Sequence, residues 1–211
     1  MDKLKFLHVG CGPKKQNQTT PVFNSEDWTE VRFDIDETHN PDILGSMTDM
    51  SMIDDNSFNA IYSSHNIEHL FLHEAEIAVK EFYRILKPSG YVFLLCPDIV
   101  QASKALYENG PNSKFYSTNA GIEISPIDVI YGWGLSIKNG NEYMAHKYGY
   151  SQKSLVSLFK DCNFLNIAST SRKSHFDIVL LANKERASEE KKSEEYRERF
   201  KKLFSSHLGL K

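Results

Sequence analysis

Apolar positions fall in short blocks separated by polar, turn-forming stretches, and the blocks alternate between two periods. Leu4 to Val9 is an apolar run that ends in Gly10-Cys11-Gly12-Pro13. Such a run is a buried strand breaking into a tight loop. Val31–Ile35 repeats the pattern and closes on Asp34-Ile35-Asp36. Residues 41–45 form a brief third strand, and Phe58–Tyr62 a fourth, preceded by the turn Asp54-Asp55-Asn56-Ser57. Between the first two strands, residues 13–28 hold two prolines and several Asn, Ser and Thr. No helical period emerges there, so the crossover is short or irregular, with one turn near Ser25-Glu26-Asp27.

The helical period appears next. Over Glu74–Leu86 the residues Ile77, Val79, Phe82, Ile85 and Leu86 form an apolar stripe near 3.6 residues per turn. Lys87-Pro88-Ser89-Gly90 stops it. Tyr91–Leu95 is continuously apolar, as in a parallel strand covered on both faces. Pro97-Asp98 follows, then a helix over Ile99–Tyr107. Residues 108–147 are rich in Gly, Asn, Pro and aromatics and keep no period. Ser151–Phe159 is a helix capped by Ser151. Phe164–Thr170 and Phe176–Asn183 are two closing strands, close enough in sequence to pair antiparallel. Strands alternating with helices and ending in a hairpin predict an α/β fold: a mostly parallel sheet with helices on both faces and one reversed strand.

The C-terminal stretch from Lys184 to Lys211 is dense in charge. Tyr196, Phe200, Leu203, Phe204 and Leu208 fall at helical spacing in its second half. This amphipathic helix packs on the parent domain, or joins a second copy in a homodimer. Its polar face mixes both signs, which argues against a membrane or calmodulin role.

Composition narrows the class. In 211 residues, 40 % hydrophobic, one domain can bury a full core. The net charge of −3 and the lack of a basic, aromatic stripe argue against a nucleic-acid coat. Cys11, Cys96 and Cys162 are scattered, as in a reducing compartment, and fit neither a disulfide frame nor a zinc site. With no leader pattern and no membrane-length apolar run, the expectation is a cytoplasmic protein without membrane partners.

Four stretches, in order, resemble the class I S-adenosylmethionine-dependent methyltransferases of the type 11 group. Leu7-His8-Val9-Gly10-Cys11-Gly12-Pro13 is similar to the nucleotide loop, and Val31-Arg32-Phe33-Asp34 to the ribose motif. Ser57 to Ser64 with Ile67-Glu68-His69 is similar to the fourth-strand motif, and Phe82 to Gly90 to the stretch before the fifth strand. The resemblance spans residues 4 to about 98 and implies a Rossmann-like seven-strand sheet whose last strand is antiparallel. Residues 1–183 would be the methyltransferase domain, 108–147 an acceptor-site lid, and 184–211 the appended helix. S-adenosylmethionine would be the cofactor.

The resemblance assigns residues. Asp34 would accept the ribose hydroxyls, with Asp36 the fallback. The loop of His8, Gly10, Cys11 and Gly12, together with Ile35, Ser46, Met47, Ser63 and Ser64, would complete the cofactor pocket. Two positions depart from the family. His8 stands where an acid is usual, and Lys14 where a third glycine is usual. A dinucleotide fingerprint fares worse, because it requires a glycine at position 15, where Lys15 stands.

His65-Asn66-Ile67-Glu68-His69 is formally a zinc-peptidase string, rejected because it directly follows a core strand. Some O-methyltransferases carry Glu-x-x-Glu-His here and hold a divalent metal with it; His65, Glu68 and His69, extended by His73, are the corresponding set. The main reading assigns no metal ligand. The transfer itself is an in-line displacement needing a base only for a protonated nucleophile such as a hydroxyl. His65, His146 and Asp98 are the candidate bases, in that order. The function expected is methyl transfer to a small molecule or glycan precursor, at oxygen. The alternatives are a metal-dependent O-methyltransferase and a non-catalytic binder of the cofactor or its demethylated product.

Overall fold

The computed structural model describes residues 3–118, 121–173, 175–184 and 194–209. Among these described residues, nine strands and six α-helices follow in chain order: β1 (Leu4–Val9), β2 (Trp28–Asp34), β3 (Ile43–Leu44), β4 (Phe58–Ser64), α1 (Leu72–Ile85), β5 (Leu86–Pro97) and α2 (Ile99–Asn109) come first. They are followed by β6 (Tyr116–Ser117), β7 (Glu123–Ile124), α3 (Pro126–Tyr131), α4 (Gly134–Lys138), α5 (Gln152–Asp161), β8 (Leu165–Arg172), β9 (Asp177–Asn183) and α6 (Glu194–His207). Seven strands make one sheet in the order β3-β2-β1-β4-β5-β9-β8. β1 to β5 pair in parallel, and β9 runs antiparallel to both β5 and β8, so it is the one reversed strand. The order reverses beside β1, which puts a crevice at the carboxyl ends of β1 and β4, where open α/β sheets take ligands.

α1 begins two residues before the predicted start and buries Ala75, Ala78, Val79, Phe82 and Ile85. Ile77, placed in the stripe from sequence, is 45 % exposed. Two alanines, not an isoleucine, face the sheet, and their small side chains let the helix approach it. Helix gives way to strand directly at Leu86, which pairs with Phe58; residues 87–90 then bulge before Tyr91 meets Ala60.

One face of the sheet is covered by α1 and α5 over a large apolar cluster. The other face lacks a helix between β1 and β2: residues 13–27 contain a single 3-10 turn, Gln16–Gln18. α6 covers that face instead. Its Phe200, Leu203 and Phe204, with Leu208 just beyond, pack against Phe6, Phe23, Tyr91, Phe93 and neighbouring apolar residues. His207 is buried among aromatic rings, stacked on Phe93 with centroids 4.3 Å apart. Its ring nitrogens hydrogen-bond the Thr20 hydroxyl at 2.8 Å and the Tyr91 hydroxyl at 3.1 Å. From Phe200 to Leu208 the apolar stripe packs on the parent domain, the first of the two expected dockings. The region expected to be helical from residue 184 onward falls partly outside the described residues, at 185–193. No helix among the described residues is long and apolar enough to cross a membrane.

Candidate functional site

The crevice has two halves. On the β1–β2 side, both glycines of the loop take positive φ, 61° at Gly10 and 51° at Gly12, a region open to glycine at little cost. They differ in surroundings. A Cβ on Gly10 would sit 2.0 Å from Asn66 Oδ1, so the missing side chain makes room for Asn66. A Cβ on Gly12 would meet nothing within 4 Å, so that backbone faces open space, as a cradle for a ligand requires. Asn66 Nδ2 donates to Val9 O at 3.0 Å and Ser64 O at 3.0 Å, tying the ends of β1 and β4 together. Sequence reasoning did not single it out; its position two residues past β4 was the available signal.

Asp34 stands at the end of β2, 7 % exposed. It accepts the Gly12 N–H at 2.7 Å on one oxygen and the Asp36 N–H at 2.9 Å on the other. Each oxygen keeps a further lone pair for a ligand hydroxyl. Asp36 caps the turn Glu37–His39, accepting from the Thr38 amide and hydroxyl. Ile35, between them, is 48 % exposed, next to the turn at Gly45 that carries Ser46 and Met47; the Gly45 N–H bonds Asp34 O. Ser46 hydrogen-bonds Thr48.

Three of the predicted cofactor residues have buried side chains. His8 is 1 % exposed, with Nδ1 2.6 Å from Glu30 Oε1, beneath the loop. Cys11 is buried beside Asp34; burial pushes its thiol up to about 11, and the neighbouring Asp34 carboxylate adds to the rise. Ser63, also buried, receives a bond from Asn66.

The other half lies past β4. His65 takes φ 59°, a strained conformation for a histidine. Its side chain is 44 % exposed and its Nδ1 lies 3.7 Å from Glu68 Oε1. Glu68 is 2 % exposed, and neither carboxylate oxygen has a hydrogen-bond partner among the described residues. Burial pushes its pKa up to about 8. A carboxyl in this state is rare, because desolvation without a partner is costly.

Residues 145–148 strap across this point. The Lys147 and Tyr148 amides donate to Glu68 O at 2.8 and 3.1 Å. His69 Nδ1–H donates to Ala145 O at 3.0 Å, and His146 Nδ1–H to Val129 O at 2.9 Å. Both rings are thereby fixed in one tautomer with Nε2 left as an acceptor. Burial lowers both, His146 to about 4, so they are neutral at physiological pH. Ligand atoms of Glu68, His69 and His146 all lie within 4.8 Å of one another. The trio that converges is therefore not His65, Glu68 and His69: His146 arrives from 77 residues away, and His65 stands at the rim.

Asp98, the third candidate base, has a different occupation. It is 3 % exposed, caps α2 through the Val100 N–H at 2.9 Å, and accepts from Gln101 and Ser171. The insertion 108–147 has its own small core, Ile124 and Val129 against Ala102 of α2, with Phe115, Tyr116 and Trp133 packed on it.

Residues 7–94 match the family described as a methyltransferase domain. The match, to a methyltransferase domain, runs from β1 into β5 and takes in the glycine loop, Asp34 and Glu68. Solved structures share the fold at low identity. A SAM-dependent methyltransferase from Methanosarcina mazei has 16 % identity, covers 89 % of this chain and 95 % of its own, with a TM-score of 0.55. A 1,6-didemethyltoxoflavin N1-methyltransferase from Burkholderia thailandensis, with S-adenosylhomocysteine bound, has 10 % identity, 87 % and 72 % coverage and a TM-score of 0.51. A Haloferax volcanii methyltransferase, seen in complex with the activator Trm112, has 9 % identity, 88 % and 84 % coverage and a TM-score of 0.54. No curated protein matches the chain. The open Gly12 backbone, Asp34 and the exposed Ile35 stand together on the loop side of the crevice.

Proposed function

We propose that this methyltransferase moves the methyl group to an oxygen of a small molecule or glycan precursor, with His146 as the base. The observation that carries this is the buried Glu68 with two partnerless oxygens beside two histidines whose Nε2 atoms are free. As the acceptor oxygen attacks the methyl carbon, its proton passes to His146 Nε2. The sulfonium leaves as a neutral thioether. A lone imidazolium is disfavoured there by burial; a Glu68 that has released its proton to solvent before the transfer balances that charge, so the pair is charged together where neither would be charged alone. His65 at the rim and the 108–147 insertion frame the acceptor entrance, with the cofactor held by the loop of Gly10 to Gly12 and by Asp34. Tritiated S-adenosylmethionine incubated with phenols, simple glycosides and nucleotide sugars tests this. Labelled ethers made by the wild type and lost in His146→Gln support it; label appearing on amine acceptors alone overturns the oxygen assignment.

A second reading has its own support in the same trio. Histidines that donate Nδ1–H to backbone carbonyls and leave Nε2 free are oriented as metal ligands usually are. Glu68, His69 and His146 fit a divalent cation, which would supply Lewis acidity to an acceptor oxygen. Titration calorimetry with Mn²⁺ and Zn²⁺ decides: stoichiometric binding lost in Glu68→Gln favours it, and activity indifferent to chelator removes it.

A further inference from the structure

Alternate residues of β2 do unusual work on the face that lacks a crossover helix. Glu30, Arg32 and Asp34 follow Trp28 at a spacing of two, so all four point to the same face. Trp28 joins the apolar cluster under α6. The other three reach the loop that follows β1. Glu30 holds His8 with one oxygen and the Gln16 N–H, at 2.9 Å, with the other. Asp34 holds the Gly12 N–H. Arg32, 5 % exposed, lies between them.

The Arg32 guanidinium donates to four backbone carbonyls. Nη2 bonds Gly12 O and His39 O, Nε bonds Lys14 O at 3.3 Å, and Nη1 bonds Asn40 O at 2.6 Å. Two of those carbonyls belong to the glycine loop and two to the turn after β2. These segments flank the cofactor crevice from both sides, and Ile35 and Asp36 lie between the two anchor points. An arginine suits this task because its planar fork presents fixed donors and keeps its charge when buried.

We propose that Arg32 is a positioning residue of the cofactor site, a clamp that holds the glycine loop and the β2 turn in their binding geometry before the cofactor arrives. It does not act on the reacting atoms. It does, in this chain, what an ordered crossover helix and a third glycine leave undone: Gly12 and Lys14, the second and third positions of the loop motif, are both gripped through their carbonyls. Ordering those loops in advance removes an entropic cost from binding. Cutting the clamp therefore weakens the affinity for cofactor and product while leaving the bound reaction alone.

The test rests on the cofactor assignment, which binding of S-adenosylhomocysteine to the wild type checks by itself. Calorimetry with that compound is run on wild type, Arg32→Lys, Arg32→Met and Lys184→Met. Lys184 grips Leu86 O at 2.6 Å and Asn56 at the opposite end of the sheet, so it loses a comparable cation-to-carbonyl contact away from the crevice. The expected result is a Kd raised about tenfold or more in Arg32→Met and by less in Arg32→Lys, with kcat at saturating cofactor within about twofold of wild type. Lys184→Met binds as the wild type does. Should Arg32→Met fail to fold, amide exchange on ligand-free Arg32→Lys replaces it: faster exchange confined to residues 10–18 and 36–41 supports the clamp. Unchanged affinity in a folded Arg32 variant, or exchange as slow as in the wild type, overturns it. So does an equal loss of affinity in Lys184→Met.

Discussion

The two halves of the crevice are built on opposite rules. On the β1–β2 side the charged and polar groups are paired with backbone: Arg32 with four carbonyls, Asp34 with two amides, Glu30 with His8 and an amide. Past β4, a carboxyl is buried without partners, two histidines each keep one nitrogen free, and His65 is held in a strained conformation. Satisfied groups make a rigid, preorganised surface. Unsatisfied buried groups are retained against their desolvation cost only where something else completes them. On the proposed function, the paired half receives the cofactor as it stands and the unpaired half is completed by its substrate.

That contrast breaks most clearly at Glu68 and His146. If the unsatisfied half does the chemistry, His146→Gln lowers kcat by about 10²- to 10³-fold, within the usual range for a general base. Glu68→Gln, which cannot ionise to balance an imidazolium, lowers it by about 10²-fold. Affinity for S-adenosylhomocysteine stays within about twofold in both. Single-turnover kinetics alongside calorimetry separates the two quantities. A loss of cofactor affinity equal to the loss of rate erases the division between halves.

The paired half makes the complementary prediction. Asp34→Asn keeps the shape of the side chain but removes the charge that the Gly12 N–H, the Asp36 N–H and ligand hydroxyls bind. Affinity for S-adenosylhomocysteine falls by about 10- to 100-fold, as loss of a charge-assisted bond implies, and kcat at saturation changes little. Asp36→Asn changes it by less than about threefold, because Asp36 is occupied by its own turn. Reversed magnitudes would move the ribose contact to Asp36.

Stability against pH reads the same contrast without any ligand. Burial lifts Glu68 from 4.5 to about 8, so between those values the folded protein holds a proton that the unfolded chain has released. Stability falls as pH rises through that window. His146 is lowered from 6.5 to about 4 and His207, under α6, from 6.5 to about 3. There the unfolded chain binds protons that the folded protein refuses, and stability falls as pH drops below about 6.5. Urea melts across this range should show a maximum near about pH 6.5. Glu68→Gln flattens the alkaline limb and steepens the acid limb between pH 4.5 and 6.5, where Glu68 opposes the histidines. Parallel curves for wild type and variant between pH 6.5 and 8 would mean that Glu68 is ionised and partnered after all.

The sheet was largely legible because buried strands declare themselves locally: β1 runs over the predicted residues, and the reversed last strand follows from two short runs joined by a turn. The glycine loop and Asp34 were legible for the same reason. The acceptor half was not, because it depends on a contact across 77 residues; His146 could be named from sequence, but its meeting with Glu68 and His69 could not. The clamp on β2 was hidden differently. Glu30, Arg32 and Asp34 at alternate positions look like the solvated face of an edge strand, and only the missing crossover helix hints that they carry a loop. Ile77 misled because a 3.6-residue stripe can be drawn through it or through Ala75 and Ala78, and apolar size favoured the wrong choice.

The smallest expected effect tests how the loop does without its third glycine. Gly10 and Gly12 have positive φ, while Lys14 is not among the residues that do. Nothing in its backbone therefore calls for glycine, and its side chain points to solvent. What the site uses of Lys14 is its carbonyl, held by Arg32. Lys14→Gly keeps that carbonyl and adds only backbone freedom, worth up to about 1 kcal/mol in the unfolded chain. Affinity for S-adenosylhomocysteine should change by less than about threefold, against the tenfold or greater loss expected for Arg32→Met. The double variant Lys14→Gly with Arg32→Met should bind no better than Arg32→Met alone. If glycine at 14 restores the affinity lost with the arginine, the loop is set by its own flexibility and the β2 clamp is dispensable.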